Sequence, residues 1–260
     1  MDLSVIIVNY KSRAKLERLL VSLRVADWSG ISHEIIVVDN ASGDDLSGLE
    51  TDIKIINSSR NLGMGGGNNL GIDNSQGGYI LILNPDTVVK PEAIKVMLET
   101  LKNNQTIGLV GPKLVYPDGS LQYSCSEFPN FWIPILRRTF LGDYFKSVRD
   151  AFMMTDFDHD SVKAVGWLMG SCLMFKRGLK FDDRYFMYFE DTDLARQVWQ
   201  RNLEVIYQSA ALVIHDHERA SAKHPWYRAI FTNRLAWYHI ISWLKYFQKW
   251  GFKKAKKGIL

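Results

Sequence analysis

Short apolar runs alternate with amphipathic stretches through the first hundred residues. Residues 4–8 (SVIIV) form a β-branched run of the kind a buried strand needs. Leu16, Leu19, Leu20 and Leu23 follow at helical spacing, and Ser12 stands where a cap would stand. Residues 34–38 (EIIVV) predict a second strand, ending at Asp39, and residues 53–56 a third. Residues 79–83 (YILIL) predict a fourth, ending at Asn84-Pro85-Asp86, after which Pro91 opens a helix over 91–102. Strands alternating with helices predict an α/β fold with a mixed, mostly parallel sheet flanked by helices. Ligands of such sheets bind outside the carboxyl ends of the strands. Asn9, Tyr10, Asp39 and Asp86 each follow a strand, so they are expected on one sheet edge.

After Ile107 the pattern changes. Tyr116-Pro117-Asp118-Gly119 reads as a turn between short strands. Residues 125–160 are irregular and rich in aromatics, with no element assigned. Residues 165–175 (VGWLMGSCLMF) read as one buried strand with a glycine break. Residues 192–201 read as a helix opened by Glu190, Asp191 and Asp193, and residues 203–207 as a further strand. A last strand-like stretch, 210–214, runs into His215-Asp216-His217.

With 260 residues, 47% hydrophobic and 23% charged, the chain can bury a substantial core. Its two cysteines, Cys125 and Cys172, have neither metal-ligand spacing nor the number a disulfide framework needs, which fits a reducing, cytoplasmic location. The start MDLSVIIVNYKS has no basic leader, and no apolar run is long enough to span a membrane, so neither a signal peptide nor a spanning helix is expected. Net charge is +4, yet the stretch from Arg219 to Leu260 holds ten Lys or Arg and no acid, leaving the rest net acidic. A basic tail on an acidic body suggests an anionic surface as partner.

Four segments carry candidate chemistry. Gly63, Gly65, Gly66, Gly67 and Gly71 fail the dinucleotide pattern, because Asn68 stands where its third glycine would fall and the segment follows residues 57–61 rather than the first strand. They read either as a turn entering a helix or as a close backbone approach to a nucleotide. Asn84-Pro85-Asp86 reads as a turn or as a cation ligand facing a diphosphate. Residues 189–194 (FEDTDL) read as a helix start or as the seat of a general base. His215 and His217 read as metal ligands or as loop residues.

Taken together and in order, VIIVNY, VVDNAS, NLGMGGGNN, LILNPDT, WLMGSCLMFKR, FMYFEDTDLARQ and IHDH resemble glycosyltransferase family 2, with its GT-A fold. The resemblance runs from about residue 3 to about residue 221, with a narrower likeness to bacterial rhamnosyltransferases of surface-polysaccharide assembly. It implies a nucleotide-sugar-binding subdomain over 1–110, an acceptor-binding and catalytic subdomain over 111–221, and a helical tail over 222–260. It places nucleotide-sugar contacts at Asn9, Tyr10, Asp39, Gly66, Asn68 and Asn69, and the metal-binding D-x-D position at Asn84 and Asp86, where Asn84 replaces the first carboxylate. His215 matches a further metal ligand, so Mg²⁺ or Mn²⁺ is the implied cofactor. Asp191 matches the catalytic base; Trp167, Met169, Gly170 and Glu190 match the acceptor side. Leu179-Lys180-Phe181-Asp182-Asp183 departs from the family's Gly-Gly-Phe-Asp-Glu. The implied partners are a nucleotide-diphosphate sugar and a glycan or polyprenyl-diphosphate-linked acceptor, without nucleic acid. One base opposite the leaving group implies inversion, whereas a glycoside hydrolase would need two flanking carboxyls. Two other readings are a nucleotide-sugar-binding subunit without catalysis and a nucleotidyltransferase, the latter disfavoured by Asn9-Tyr10-Lys11-Ser12 where a glycine-rich loop belongs.

The tail carries Trp226, Phe231, Trp237, Trp243, Phe247, Trp250 and Phe252. Helical spacing groups Ile230, Trp237, Ile241 and Leu244 on one side, and Arg228, Thr232, His239, Ser242, Lys245 and Lys249 nearer the other. This reads as an interfacial helix against anionic lipid, peripheral on the inner face of the membrane, or as a helix packed on the domain.

Overall fold

The computed structural model describes residues 1–49, 52–137, 141–216 and 233–252. The predicted N-terminal elements form β1 (Leu3–Asn9), α1 (Arg13–Arg24), β2 (His33–Asp39), β3 (Ile53–Asn57), α2 (Gly63–Asp73), β4 (Tyr79–Leu83) and α3 (Ala93–Asn103), with a short β5 (Thr87–Val89) between the last two. All seven residues of β1 are buried, which is why its run is apolar rather than alternating. Leu16, Leu19, Leu20 and Leu23 of α1 are buried in the core beneath the sheet; each contributes roughly 1.5–3 kcal/mol by leaving water. Ser12 sits at the start of α1 but makes no side-chain cap. Its hydroxyl donates to Tyr10 O, and its N–H goes to Asp44 Oδ2 at 3.0 Å.

Further along lie β6 (Ile107–Val115), β7 (Leu121–Gln122), β8 (Cys125–Ser126), α4 (Ile133–Leu136), α5 (Leu141–Tyr144), α6 (Lys146–Met153), β9 (Lys163–Ala164), β10 (Trp167–Leu168), β11 (Cys172–Lys176), α7 (Glu190–Gln200), β12 (Glu204–His215) and α8 (Arg234–Trp250). Three readings change here. The expected single strand over 165–175 is two strands in two sheets: β10 pairs with β8, and β11 enters the main sheet antiparallel to β4 and β6. The strands expected at 203–207 and 210–214 are one strand, β12, interrupted by a register shift between Gln208 and Leu212. The unassigned stretch 125–160 holds β8 and the short helices α4 to α6.

The main sheet runs β3-β2-β1-β4-β11-β6-β12-β5. β1 is parallel to β2 and β4, and β3 to β2. β11 is antiparallel to both β4 and β6, which makes β6 parallel to β4; β12 is parallel to β6 in turn. The carboxyl ends of β1, β2, β4 and β12 and the start of β11 therefore share one edge. The expected subdomain boundary near residue 110 falls inside β6, so the two halves share this sheet. Among the described residues no helix is long and apolar enough to cross a membrane.

Candidate active site

Topology brings Asn9, Asp39, Asn84 and His215 to that one edge, since each ends or follows a strand there. Hydrogen bonds connect the rest. The Gly170 N–H donates to Asp191 Oδ2 at 2.9 Å. One residue on, the Ser171 carbonyl accepts from the Asn84 N–H at 2.9 Å. Asp86 Oδ1 in turn lies 3.4 Å from His215 Nε2. A continuous path thus runs from Asp191 through Gly170–Ser171 and Asn84–Asp86 to His215.

At the β1 and β2 end, several polar residues brace one another. Asn9 is fully buried; its Nδ2 donates to Asp44 Oδ2 at 2.9 Å and Ser42 Oγ at 3.2 Å, with Asp39 Oδ1 at 3.4 Å. Its amide N–H₂ therefore orders the loop after β2, while Tyr10 is exposed and Asp39 half-buried beside it. Asn40 takes the Leu62 N–H at 2.8 Å and donates to the Gly63 carbonyl at 3.0 Å, tying this loop to the start of α2. Ser42, Asp44 and Asn40 escaped the sequence reading, although the polar run Asn40-Ala41-Ser42-Gly43-Asp44 after a strand was their signal.

The glycines of α2 serve packing. Gly63 has φ +77°, and a Cβ there would lie 2.1 Å from the Phe186 carbonyl oxygen. A Cβ at Gly71 would lie 2.3 Å from Ile6 Cγ2. Close approach is what these positions need, but to protein rather than to nucleotide. Gly66 is the more open position, where a Cβ would meet only Leu62. Asn69 has a structural role as well. Its amide donates to the Phe181 carbonyl at 2.8 Å and Asp183 Oδ1 at 2.7 Å, and its oxygen accepts the Phe181 N–H at 3.0 Å, so it fastens α2 to the 181–183 loop. Asn68 is buried, and its Oδ1 has no hydrogen-bond donor.

On the β4 side, the Asn84 Oδ1 and Asp86 Oδ1 acceptors are both buried without a hydrogen-bond donor among the described residues. His215 is 2% exposed, and its Nδ1 lies 2.8 Å from Gln122 Oε1. That contact holds the ring so that Nε2 faces Asp86. Burial opposes ionisation of Asp86, but the nearness of His215 and Lys15 outweighs it, holding its carboxyl below the usual range. Two buried oxygens and an imidazole nitrogen suit Mg²⁺ or Mn²⁺. The described residues hold no cluster of three His, Cys, Asp or Glu, so Asn84 would supply the third ligand. His217 lies outside the described residues.

The acid pair opens α7. Tyr188 and Phe189, directly before it, both have positive φ (+69° and +65°), a costly backbone for bulky residues. This double left-handed step seats Glu190 and Asp191 beside Gly170, where a Cβ would come 3.2 Å from Asp191 Cβ. Asp191 accepts from the Gly170 N–H, the Thr192 N–H at 2.6 Å and the Thr192 hydroxyl at 3.2 Å. Glu190 Oε2 is buried without a partner, as is the Trp167 indole N–H. Met169 anchors the same strand by donating its N–H to the Ser124 carbonyl at 2.8 Å. Burial, and then the neighbouring Asp191 charge, push the Glu190 carboxyl up to about 8. Burial also raises Asp191, but its three donors favour the carboxylate. Burial and mutual repulsion therefore favour a proton held by the pair, and the three donors on Asp191 favour its carboxylate as the ionised member.

α8 buries Ala236, Ser242, Tyr246 and Phe247 and turns Lys249 inward with them, so it packs on the domain. Lys249 Nζ lies 2.7 Å from Asp193 Oδ1 and 2.7 Å from Asp182 Oδ2; Ser242 Oγ donates to the Met187 carbonyl at 2.8 Å. Trp237, Ile241 and Leu244 are the exposed ones, at 49%, 42% and 51%. Ile230, Arg228, Thr232, Trp226, Phe231 and the lysines from Lys253 on lie outside the described residues.

Comparison with known proteins agrees with this geometry. The family model described as glycosyl transferase family 2 matches residues 4–160. The chain is 28% identical over 244 residues to an N-acetylglucosaminyl-diphospho-decaprenol L-rhamnosyltransferase of Mycobacterium tuberculosis, covering 86% of this chain and 78% of that one. It is also 28% identical to the low-salt glycan biosynthesis hexosyltransferase Agl10 of Haloferax volcanii, covering 83% and 67%. Among solved structures, GalNAc-T7 with UDP, GalNAc and Mn²⁺ superposes with a TM-score of 0.63 at 14% identity, over 82% of this chain and 43% of that one. Staphylococcus aureus TarS with UDP-GlcNAc gives 0.55 at 16%, over 86% and 61%. The chain thus spans less than two thirds of either solved structure, and these likenesses speak for the GT-A fold. The sheet, the acid pair beside Gly170 and the match over more than half its length show that this chain is a glycosyltransferase belonging to family 2.

Proposed function

We propose that the protein transfers L-rhamnose, with inversion, from dTDP-rhamnose to a hydroxyl of a lipid-linked or oligosaccharide acceptor in surface-polysaccharide assembly. The observation that carries this reading is the two-residue bridge: Gly170 bonds Asp191 and Ser171 bonds Asn84, which links a proton acceptor to a cation-suited cluster across one edge. The relative named for rhamnosyl transfer to a diphospho-decaprenol-linked sugar supports the donor and acceptor classes.

In this reading, Asp191 takes the acceptor hydroxyl proton as the hydroxyl oxygen bonds the anomeric carbon and the bond from that carbon to the diphosphate oxygen breaks. Protonated Glu190 cannot compete as base, and its O–H is free to donate to the acceptor. Asn84, Asp86 and His215 would hold the divalent cation, which when bound neutralises the charge gained by the departing nucleoside diphosphate. Asp39 and Tyr10 take the nucleotide end, with Gly66 and Asn68 beside it, while Trp167, Met169 and Gly170 shape the acceptor side. The exposed Trp237, Ile241 and Leu244, next to the basic tail, support contact with an anionic membrane surface. Trp237→Ser with Leu244→Ser should weaken binding to phosphatidylglycerol vesicles; unchanged binding would remove this face from the membrane.

A thermal-shift panel of nucleoside diphosphates and their sugars, with and without Mn²⁺, tests the donor. Ligand binding raises apparent stability by mass action, so the dTDP sugar should shift the melt most, and more with metal. A panel without any nucleotide response would sink the reading.

A further inference from the structure

The family match ends at residue 160, before the acid pair and long before α8. Yet α8 is built onto the segment that carries the pair. Its inner face meets that segment at four successive points. Lys249 Nζ binds Asp182 Oδ2 at 2.7 Å, Lys245 Nζ donates to the Arg184 carbonyl at 2.7 Å, and Ser242 Oγ donates to the Met187 carbonyl at 2.8 Å. Lys249 also reaches both oxygens of Asp193, at 2.7 and 2.8 Å.

Asp193 is fully buried and stands two residues after Asp191, in the first turn of α7. Beside Lys249 it accepts from the Trp250 indole N–H at 2.7 Å, from Gln197 Nε2 at 2.9 Å and from the Tyr185 hydroxyl at 3.2 Å. Arg196, one turn on, bonds the Tyr246 hydroxyl at 3.1 Å and lies over the Trp250 ring. Between these anchors lies the left-handed Tyr188–Phe189 step. Two consecutive bulky residues hold that backbone only where their surroundings over-determine it. Phe189 and Tyr246 are in ring contact at 5.3 Å, so α8 braces the step directly.

We infer that Lys249, through its ion pair with Asp193 and Asp182, is a positioning residue that holds the start of α7 and so fixes Asp191 against the acceptor hydroxyl. This rests on the reading of Asp191 as base. The C-terminal helix is then part of the catalytic apparatus rather than an appendage, and its inner and outer faces do separate work. Lysine suits the role because its ammonium can bind three acceptors at once, as it does here.

The test compares Lys249→Met, Lys249→Arg and Asp191→Asn in the full chain, with kcat measured per folded, donor-competent site. Misplacing a reacting group by about 1 Å costs up to about 100-fold. Lys249→Met should lose about 10- to 100-fold in kcat with donor KM within about twofold. Lys249→Arg, which keeps the charge, should recover most of that loss. A merely structural role would lower the folded fraction and leave kcat per folded site alone. Should Lys249→Met fail to fold, Lys249→Met with Asp193→Asn removes both charges and spares the uncompensated buried carboxylate. It should show the same loss in kcat. Wild-type kcat in the folded single or double variant overturns the inference while an inactive Asp191→Asn leaves the base assignment standing. Activity retained in Asp191→Asn overturns the base assignment itself.

Discussion

Asp86 and the Glu190–Asp191 pair occupy the same sheet edge in opposite electrostatic settings. Around Asp86 stand His215 and Lys15, and their nearness outweighs burial, so ionisation of the carboxylate is favoured. Around Glu190 stands another acid in a buried niche, so one of the two keeps a proton. A permanently charged group suits a cation and a leaving diphosphate; a lone carboxylate next to a protonated acid suits proton transfer. In the proposed function these tasks are separated by surroundings rather than by residue type, since all three side chains are carboxyls.

The comparison breaks most visibly at the base. Asp191→Asn should lower transfer by about 10²- to 10⁴-fold while donor affinity survives, checked by a turnover assay beside calorimetric donor titration. Near-normal turnover would move the base elsewhere. Next comes Asp86→Ala, which should weaken Mn²⁺-dependent donor binding by at least about tenfold, the scale on which even outer partners of a metal ligand act. Equal affinity with and without metal would remove Asp86 from the cation site. Smaller still is Glu190→Gln, with a few-fold effect on rate but a distinct mark on stability. The Glu190 carboxyl rises in the folded state from 4.5 to about 8, so the folded protein binds the extra proton. Stability from this group is therefore present at low pH and lost as pH climbs from about 5 to about 8. Gln cannot ionise, so urea melts of the variant should flatten over that window. A wild-type slope in the variant would show that Glu190 is ionised throughout.

The N-terminal half was largely legible in the sequence. β1, β2 and β4 are buried along consecutive residues, so SVIIV, EIIVV and YILIL needed no partner to be recognised, and strand ends then pointed to Asp39 and Asp86. The C-terminal half was less so. Nothing in VGWLMGSCLMF says that Gly170 and Ser171 divide it between two sheets, because the division depends on β8, about 40 residues upstream. The glycines of α2 were visible as a need for close approach, but their partners, the Phe186 carbonyl and Ile6, are set by tertiary packing. Lys249 read as a surface charge because helical spacing reports a face and not its neighbour. Asp193, its partner 56 positions earlier, looked like one more acid at a helix start.

The most direct test is a structure of the protein with Mn²⁺ and an unhydrolysable nucleotide-diphosphate sugar. The account predicts the cation on Asp86 and His215, and the Asp191 carboxylate across the anomeric carbon from the diphosphate. A donor bound away from this sheet edge, or Asp191 on the leaving-group side, would contradict it.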